Sequence, residues 1–320
     1  MNEAGERRKS FLFAVDFEMR EGFFVPDPLS QSELFFDVKG ITNFPCYQPT
    51  TGYLPLSTLK EYLFEVDPED YDTYQQRFDV VMNGLKRGDS YLTNLTIKTP
   101  LRCSFSLEDI FRFSKATYKL YLPGKWVCFS PECFVRIAKE KISTFPMKGT
   151  IDARIPNARE IILNDQKETT EHNTIVDLLR NDLSKIASSV KVNRFRYIDE
   201  LQTNRGSILQ VSSEIEGTLP RGYLDNIGTL FFELLPAGSV SGAPKGATLR
   251  LIRGAEKEPR GFYTGVAGYF DGETLESFVL IRFIEQQGSQ LFFRSGGGIT
   301  ANSDCRKEYD EAIQKVYLPF

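Results

Sequence analysis

The stretch Phe145-Pro146-Met147-Lys148-Gly149-Thr150 follows an apolar, strand-like run and precedes a helix that begins near Asp165. Pro146 stiffens the approach, and Gly149 lets a backbone or a ligand come close. Between them stands a lysine, an uncommon residue for the interior end of a strand. A solvated loop position is the simplest explanation for it. A lysine that is desolvated, or lies near other cations, instead has a lowered pKa and acts as a neutral nucleophile near neutral pH. The residues around it bear on the choice.

The helix predicted over Asp165–Ala187 opens with Asp165-x-x-Glu168, a pattern like a capping box. Ile175, Leu179, Leu183 and Ile186 form its apolar stripe, which places Glu168 and Glu171 at the N-terminal end of the inward face. Either Glu168 merely caps and Glu171 lies at the rim, or the pair has a partner, because buried like charges repel and desolvate badly. A closing helix over Asp304–Tyr317 carries a second pair, Glu308 and Glu311. Its apolar face (Tyr309, Ala312, Ile313, Val316) leaves Glu308 at the flank and Glu311 further round, so periodicity alone gives a solvated acidic face. Two Glu-x-x-Glu pairs beside a single histidine, His172, suit Mg2+ rather than zinc.

Two glycine-rich segments and one arginine complete the candidates. Ala237-Gly238-Ser239-Val240-Ser241-Gly242-Ala243-Pro244-Lys245 precedes a helix and offers backbone N–H groups to an anion, without the spacing of a Walker A loop. Ser295-Gly296-Gly297-Gly298-Ile299-Thr300 reads as a turn linking a strand to the acidic helix, where a ligand can touch main chain. Arg282 interrupts an apolar strand, Val279–Phe283. It either faces outward or holds a carboxylate bidentately.

Elsewhere the pattern predicts strands at Phe11–Phe17, Gly22–Val25, Leu34–Val38 and Tyr91–Ile97, a loop with strand ends over 45–55, and helices at Asp70–Leu85, Ser106–Phe113, Leu224–Leu234 and Lys245–Arg253. Strands and helices mix without βα alternation, which predicts an α+β fold. The chain has 320 residues and a net charge of -4, with no long basic run, which argues against nucleic acid as the main partner. No apolar run approaches the roughly 18 residues of a membrane span. The N-terminal apolar run is too short for a signal peptide. Five cysteines without a C-x-x-C pair, and one histidine, make a zinc site improbable and fit reduced thiols in the cytoplasm.

From about Gly88 to Lys315 the chain resembles the chorismate-utilising enzymes, among them anthranilate, aminodeoxychorismate, isochorismate and salicylate synthases. The resemblance rests on six motifs in family order: Gly88-Asp89-Ser90-Tyr91, Ser130-Pro131-Glu132, Pro146-Met147-Lys148-Gly149-Thr150, Glu171-His172 through Asn181-Asp182-Leu183, Gly238 to Lys245, and Gly296-Gly297-Gly298-Ile299. It implies two stacked, mainly antiparallel sheets with helices packed outside, in a single domain over 1–320 with a shortened N-terminal part (1–87) and a catalytic core (88–320). Lys148 stands where aminodeoxychorismate synthases carry lysine and anthranilate synthases usually carry alanine. Leu92 stands where water-activating relatives carry lysine, and Gln210 where many relatives have histidine.

The resemblance further implies Mg2+ held by Glu171 and Glu311, with Glu168 and Glu308 in or near its water shell. Gly149, Thr150, Gly296, Gly297, Gly298 and Lys245 fall among the substrate-binding residues, and Tyr263 and Arg282 take the enolpyruvyl carboxylate. Lys148 attacks the ring as a neutral amine, while Glu132, its pKa raised by apolar neighbours such as Phe129, Cys133 and Phe134, protonates the departing hydroxyl. Ammonia then adds, giving 4-amino-4-deoxychorismate. No glutamine-amidotransferase nucleophile setting is visible, so ammonia is expected from a separate glutamine amidotransferase subunit or from solution. Anthranilate synthase component I and a non-catalytic chorismate-binding subunit are the alternatives.

Overall fold

A computed structural model describes residues 1–45, 62–203 and 206–320. Most of the predicted 45–55 loop lies outside the described residues. Strands dominate, and every described pair is antiparallel. They assemble into two sheets of nine strands each among the described residues.

The first sheet runs from Met147–Asp152 through Gly206–Thr218, Lys141–Thr144, Cys133–Ala138, Leu275–Val279 and Val266–Phe270 to Phe11–Val15 and Gly22–Pro26, with Ser188–Thr203 also paired to Gly206–Thr218. In the second, Leu92–Cys103 and Gln290–Ile299 lie side by side, followed by Phe283–Gln287, Trp126–Ser130, Tyr118–Leu122 and Phe35–Val38. N-terminal strands thus join both sheets.

The sheets stack through a core that draws Leu12, Ala267, Tyr269 and Phe278 from one and Phe36, Leu120, Cys128 and Phe283 from the other. Aromatic rings supply much of this area: Tyr118 stacks on Phe278 at 5.0 Å and Phe36 on Tyr269 at 5.4 Å. Helices cover the outer faces. On the first sheet lie Gln166–Leu183, through Ile175, Leu179 and Leu183, and Ile227–Phe232, through Ile227 and Phe231. On the second lie Tyr71–Lys86, Leu107–Phe113 and Cys305–Gln314. The expected stacked antiparallel sheets with outside helices are present.

Local chemistry sets the helix starts. Asp70, Ser106, Asp165 and Asp304 each accept a hydrogen bond from a backbone N–H in the first turn, and Ser106 with Asp109 completes a capping box. Two short helices, Asn2–Glu6 and Ala158–Asn164, were not predicted. Three expectations need correction. The segment predicted as one strand around Arg282 is two, Leu275–Val279 and Phe283–Gln287, one in each sheet. Arg282 sits at the crossover between them, with φ 55°. Gly296, Gly297 and Gly298 form no turn but lie inside the strand Gln290–Ile299, opposite Thr96, Leu95 and Asn94. The Gly238–Lys245 segment contains a four-residue helix, Gly238–Ser241, and a short strand, Gly242–Ala243, paired to Leu92–Cys103.

Candidate active site

Lys148 lies on the strand Met147–Asp152, whose pairing with Gly206–Thr218 bulges between Lys148 and Thr150. Gly149, at φ +75°, is the residue that permits the bulge. A Cβ there would stand 3.3 Å from Glu168 Oε2, so the strand lies directly under the glutamate-bearing helix. That helix delivers Glu171, whose Oε2 accepts a 2.9 Å hydrogen bond from Lys148 Nζ.

The same helix is fastened by its next residue. The His172 ring, buried, shares a 2.7 Å hydrogen bond with Ser213 Oγ, and Ser213 N donates to Pro146 O at 3.0 Å. The strand that carries Lys148 and the helix that carries Glu171 are therefore tied to a common residue.

The second acidic pair arrives from the closing helix Cys305–Gln314. Glu308 is only 4% exposed, which overturns the solvated face that periodicity alone gave it. Glu311 Oε1 accepts from Lys315 Nζ at 2.8 Å, and Lys315 also donates to Gly296 O at 2.9 Å. A Cβ on Gly297 would lie 3.5 Å from Glu308 Oε2, 3.7 Å from Lys315 Nζ and 3.9 Å from Glu311 Oε1. The glycine strand is the floor on which these side chains meet, and a methyl group on Gly297 would stand in contact with all three.

Electrostatics connects the two acidic pairs. Burial alone would push the Lys148 ammonium below the usual lysine value, but attraction to Glu171, Glu311 and Glu168 outweighs it and the pKa is raised. The neutral amine expected from sequence is therefore not what the protein side chains alone produce: three carboxylates hold the proton. Lys315 goes the other way, pushed down by burial, with Lys148 and Arg282 as repelling neighbours.

Glu132 follows the strand Trp126–Ser130. Burial raises its pKa above the ordinary carboxylate value, opposed by a hydrogen bond from Ser239 and by the charges of Lys148, Arg282 and Lys315. Ser239 Oγ donates to Glu132 Oε1 at 2.6 Å. Glu132, Lys148 and Ser239 border one small cavity.

Tyr263 is buried, and its phenol is pushed up to about 12 by burial, with Arg260 and Arg282 working against the rise. Thr264 N donates to Leu280 O at 2.8 Å, so the Tyr263 turn abuts the Arg282 crossover. Arg282 lies over the Tyr317 ring at 5.4 Å, and its Nε is buried without a hydrogen-bond partner among the described residues. A buried donor without a partner is what a ligand carboxylate would satisfy.

Two expected binding residues stand apart. Lys245 Nζ donates to Leu234 O at 2.6 Å and pairs with Asp182 at 3.1 Å, so its charge fastens the glutamate-bearing helix to the Gly238–Lys245 segment. Thr150 is exposed, opposite Gln210 across the strand pair. Ser239 and Lys315 were not singled out by sequence. Ser239 lies inside the Gly238–Lys245 motif, and Lys315 follows Glu311 by one helical turn. Those two positions were the only local signals.

Among the described residues, no group of three or more His, Cys, Asp or Glu side chains already stands close enough to hold an ion. The donor chemistry nonetheless fits Mg2+. Glu171 bonds Lys148 and Glu311 bonds Lys315, with Glu168 acting on Lys148 and Glu308 beside Gly297, and the histidine ring is bonded to Ser213 instead.

The chain matches the family model described as chorismate binding enzyme over residues 54–319. It belongs to that family. An uncharacterized PabA-like protein of Pasteurella multocida is 48% identical over 99% of this chain and 96% of its own length. Aminodeoxychorismate synthase component 1 of Bacillus subtilis is 31% identical over 78% of this chain and 55% of its own. Among solved structures, anthranilate synthase component I of Streptococcus pneumoniae superposes with a TM-score of 0.66 at 26% identity, over 79% of this chain and 58% of that one. The chain therefore spans little more than half the length of either synthase. As a chorismate-binding enzyme it has the stacked-sheet fold of its relatives, and no helix among its described residues is long and apolar enough to cross a membrane.

Proposed function

We propose that this chorismate-binding enzyme makes 4-amino-4-deoxychorismate from chorismate and ammonia, as an aminodeoxychorismate synthase component I. The observation that carries the proposal is the placement of Lys148 and Glu132 on one cavity, with Lys148 also bonded to the Glu171 carboxylate. A nucleophile and a carboxylic acid with a raised pKa, side by side, suit displacement of a hydroxyl group.

Arg282 and Tyr263 take the enolpyruvyl carboxylate, and Gly296, Gly297 and Gly298 with Gly149 offer main chain to the ring carboxylate. Glu132, whose pKa burial raises, gives its proton to the 4-hydroxyl as Lys148 bonds to C2, and water leaves. Attack requires the free amine, so Lys148 sheds its proton first. A Mg2+ ion held by Glu171 and Glu311, with Glu168 and Glu308 at its water shell, would supply positive charge that grips the ring carboxylate and offsets the attraction holding that proton. Ammonia adds at C4 and Lys148 departs. The ammonia comes from a glutamine amidotransferase subunit or from solution, and the setting is cytoplasmic.

Anthranilate synthase is the competing reading, supported equally by the likeness to the Streptococcus pneumoniae structure. Product identification separates the two. Purified protein with chorismate, Mg2+ and an ammonium salt should yield a compound that an added aminodeoxychorismate lyase converts to 4-aminobenzoate. Anthranilate as the product would assign the chain to the other reaction.

A further inference from the structure

A cavity of about 70 Å3 adjoins Glu132 and Lys148 and reaches the inward face of the helix Gln166–Leu183. Phe134, Phe145, Met147, Ile175 and Leu179 give it apolar walls, and Ser239 adds a hydroxyl beside Glu132 and Lys148. That is ample for a water-sized molecule, which needs roughly 10–15 Å3 of such space. Pockets that enclose ring-sized ligands run to hundreds of Å3, so the cavity is not the seat of the chorismate ring.

We propose that this cavity holds the second nucleophile, neutral ammonia, beside the two reacting side chains. The proposal rests on the amination reading above and adds to it where the ammonia waits. Beside the two reacting groups, ammonia can bond to the Ser239 hydroxyl and the Glu132 carboxylate.

The position also closes the proton balance. In the first half-reaction Glu132 gives its proton to the departing 4-hydroxyl and becomes a carboxylate. Ammonia then forms a bond to C4 as the C2–N bond to Lys148 breaks, the ring double bond shifts, and the lysine leaves as an amine. The new C4 ammonium returns one proton to Glu132, which regains the acid form for the next turnover.

The experiment compares wild type with Leu179→Phe, which fills the cavity, and Ile175→Ala, which enlarges it. Turnover is measured against ammonia concentration, transfer of methylamine is assayed, and intact mass is recorded after mixing with chorismate and Mg2+ without ammonia. In Leu179→Phe the Lys148 adduct is expected to form as in wild type, with KM for ammonia raised at least about tenfold, the scale on which a pocket discriminates one or two methylene groups. Ile175→Ala is expected to accept methylamine, which the wild type rejects. Normal adducts with an unchanged ammonia KM and no methylamine transfer overturn the cavity assignment alone. No adduct in the wild type overturns the amination reading and the cavity assignment together. If Leu179→Phe fails to fold, Ile175→Ala decides: methylamine transfer supports the holding site, and its absence overturns it.

Discussion

At the residue scale, Glu132 and Ser239 give the most direct handle on the chemistry. The 2.6 Å hydrogen bond from Ser239 stabilises the charged form of Glu132, against the burial that raises its pKa. Removing the hydroxyl in Ser239→Ala therefore raises the Glu132 pKa further. Glu132 acts in its protonated form, so activity is lost as pH rises through that pKa, and the alkaline limb of the kcat profile should move to higher pH in the variant. At the optimum, kcat should fall about tenfold, the effect of losing one hydrogen bond of about 1.5 kcal/mol to a charged group. An unmoved alkaline limb would show that another group supplies the proton.

Neighbouring glycines make a second residue-scale contrast. A Cβ on Gly296 would stand 2.4 Å from Leu95 O and 2.8 Å from Thr96 Cα, both backbone atoms of the adjoining strand. On Gly297 the same atom meets only side-chain ends, at 3.5 Å or more. Gly296→Ala should therefore destabilise the protein by about 1–3 kcal/mol, the range for overpacking. Gly297→Ala should unfold at the wild-type urea concentration yet bind chorismate more weakly. Calorimetric titration beside urea denaturation separates the two effects, and equal stability losses would contradict the contrast.

At the scale of elements, one buried ion pair joins several pieces of the site. Arg260, 1% exposed, donates to both oxygens of Glu256, to Val240 O and to Asn94 O, and Glu256 also accepts from Thr96. The pair thereby connects the helix Lys245–Glu256, the strand Leu92–Cys103 and the short helix that carries Ser239. Arg260→Met should cost about 3–5 kcal/mol by leaving a buried carboxylate without its cation. The double variant Arg260→Met/Glu256→Gln should recover part of that loss in urea denaturation. No recovery would mean that packing, not charge, dominates.

How much of these elements was legible depends on the range of the interaction that forms them. Asp70, Ser106 and Asp165 could be read as helix starts because a cap acts within one turn. Arg282 looked like a mid-strand residue because no local pattern marks a chain leaving one sheet for the other. The glycines 296–298 looked like a turn because their extended pairing with 94–96 depends on a strand about 200 residues away. Ser239 and Lys315 escaped for the same reason: the bond from Ser239 spans 107 positions, and Lys315 acquires meaning only beside Gly296.

At the scale of the whole molecule, the site exists because both sheets and two helices converge. Lys148 comes from the first sheet, the glycine floor from the second, and the two glutamate pairs from helices packed on different sheets. Each is ordinary in its own element, and the family motifs follow this convergence rather than any single segment. The chemistry assigned to the molecule then turns on whether Lys148 bonds to the substrate. Intact-mass spectrometry after acid quench, on wild type and Lys148→Ala mixed with chorismate and Mg2+ without ammonia, tests this most directly. The expected result is the mass of chorismate less one water, located on Lys148 by peptide mapping and absent from Lys148→Ala. An adduct that persists in Lys148→Ala, or 4-amino-4-deoxychorismate formed without any adduct in the wild type, would contradict the assignment.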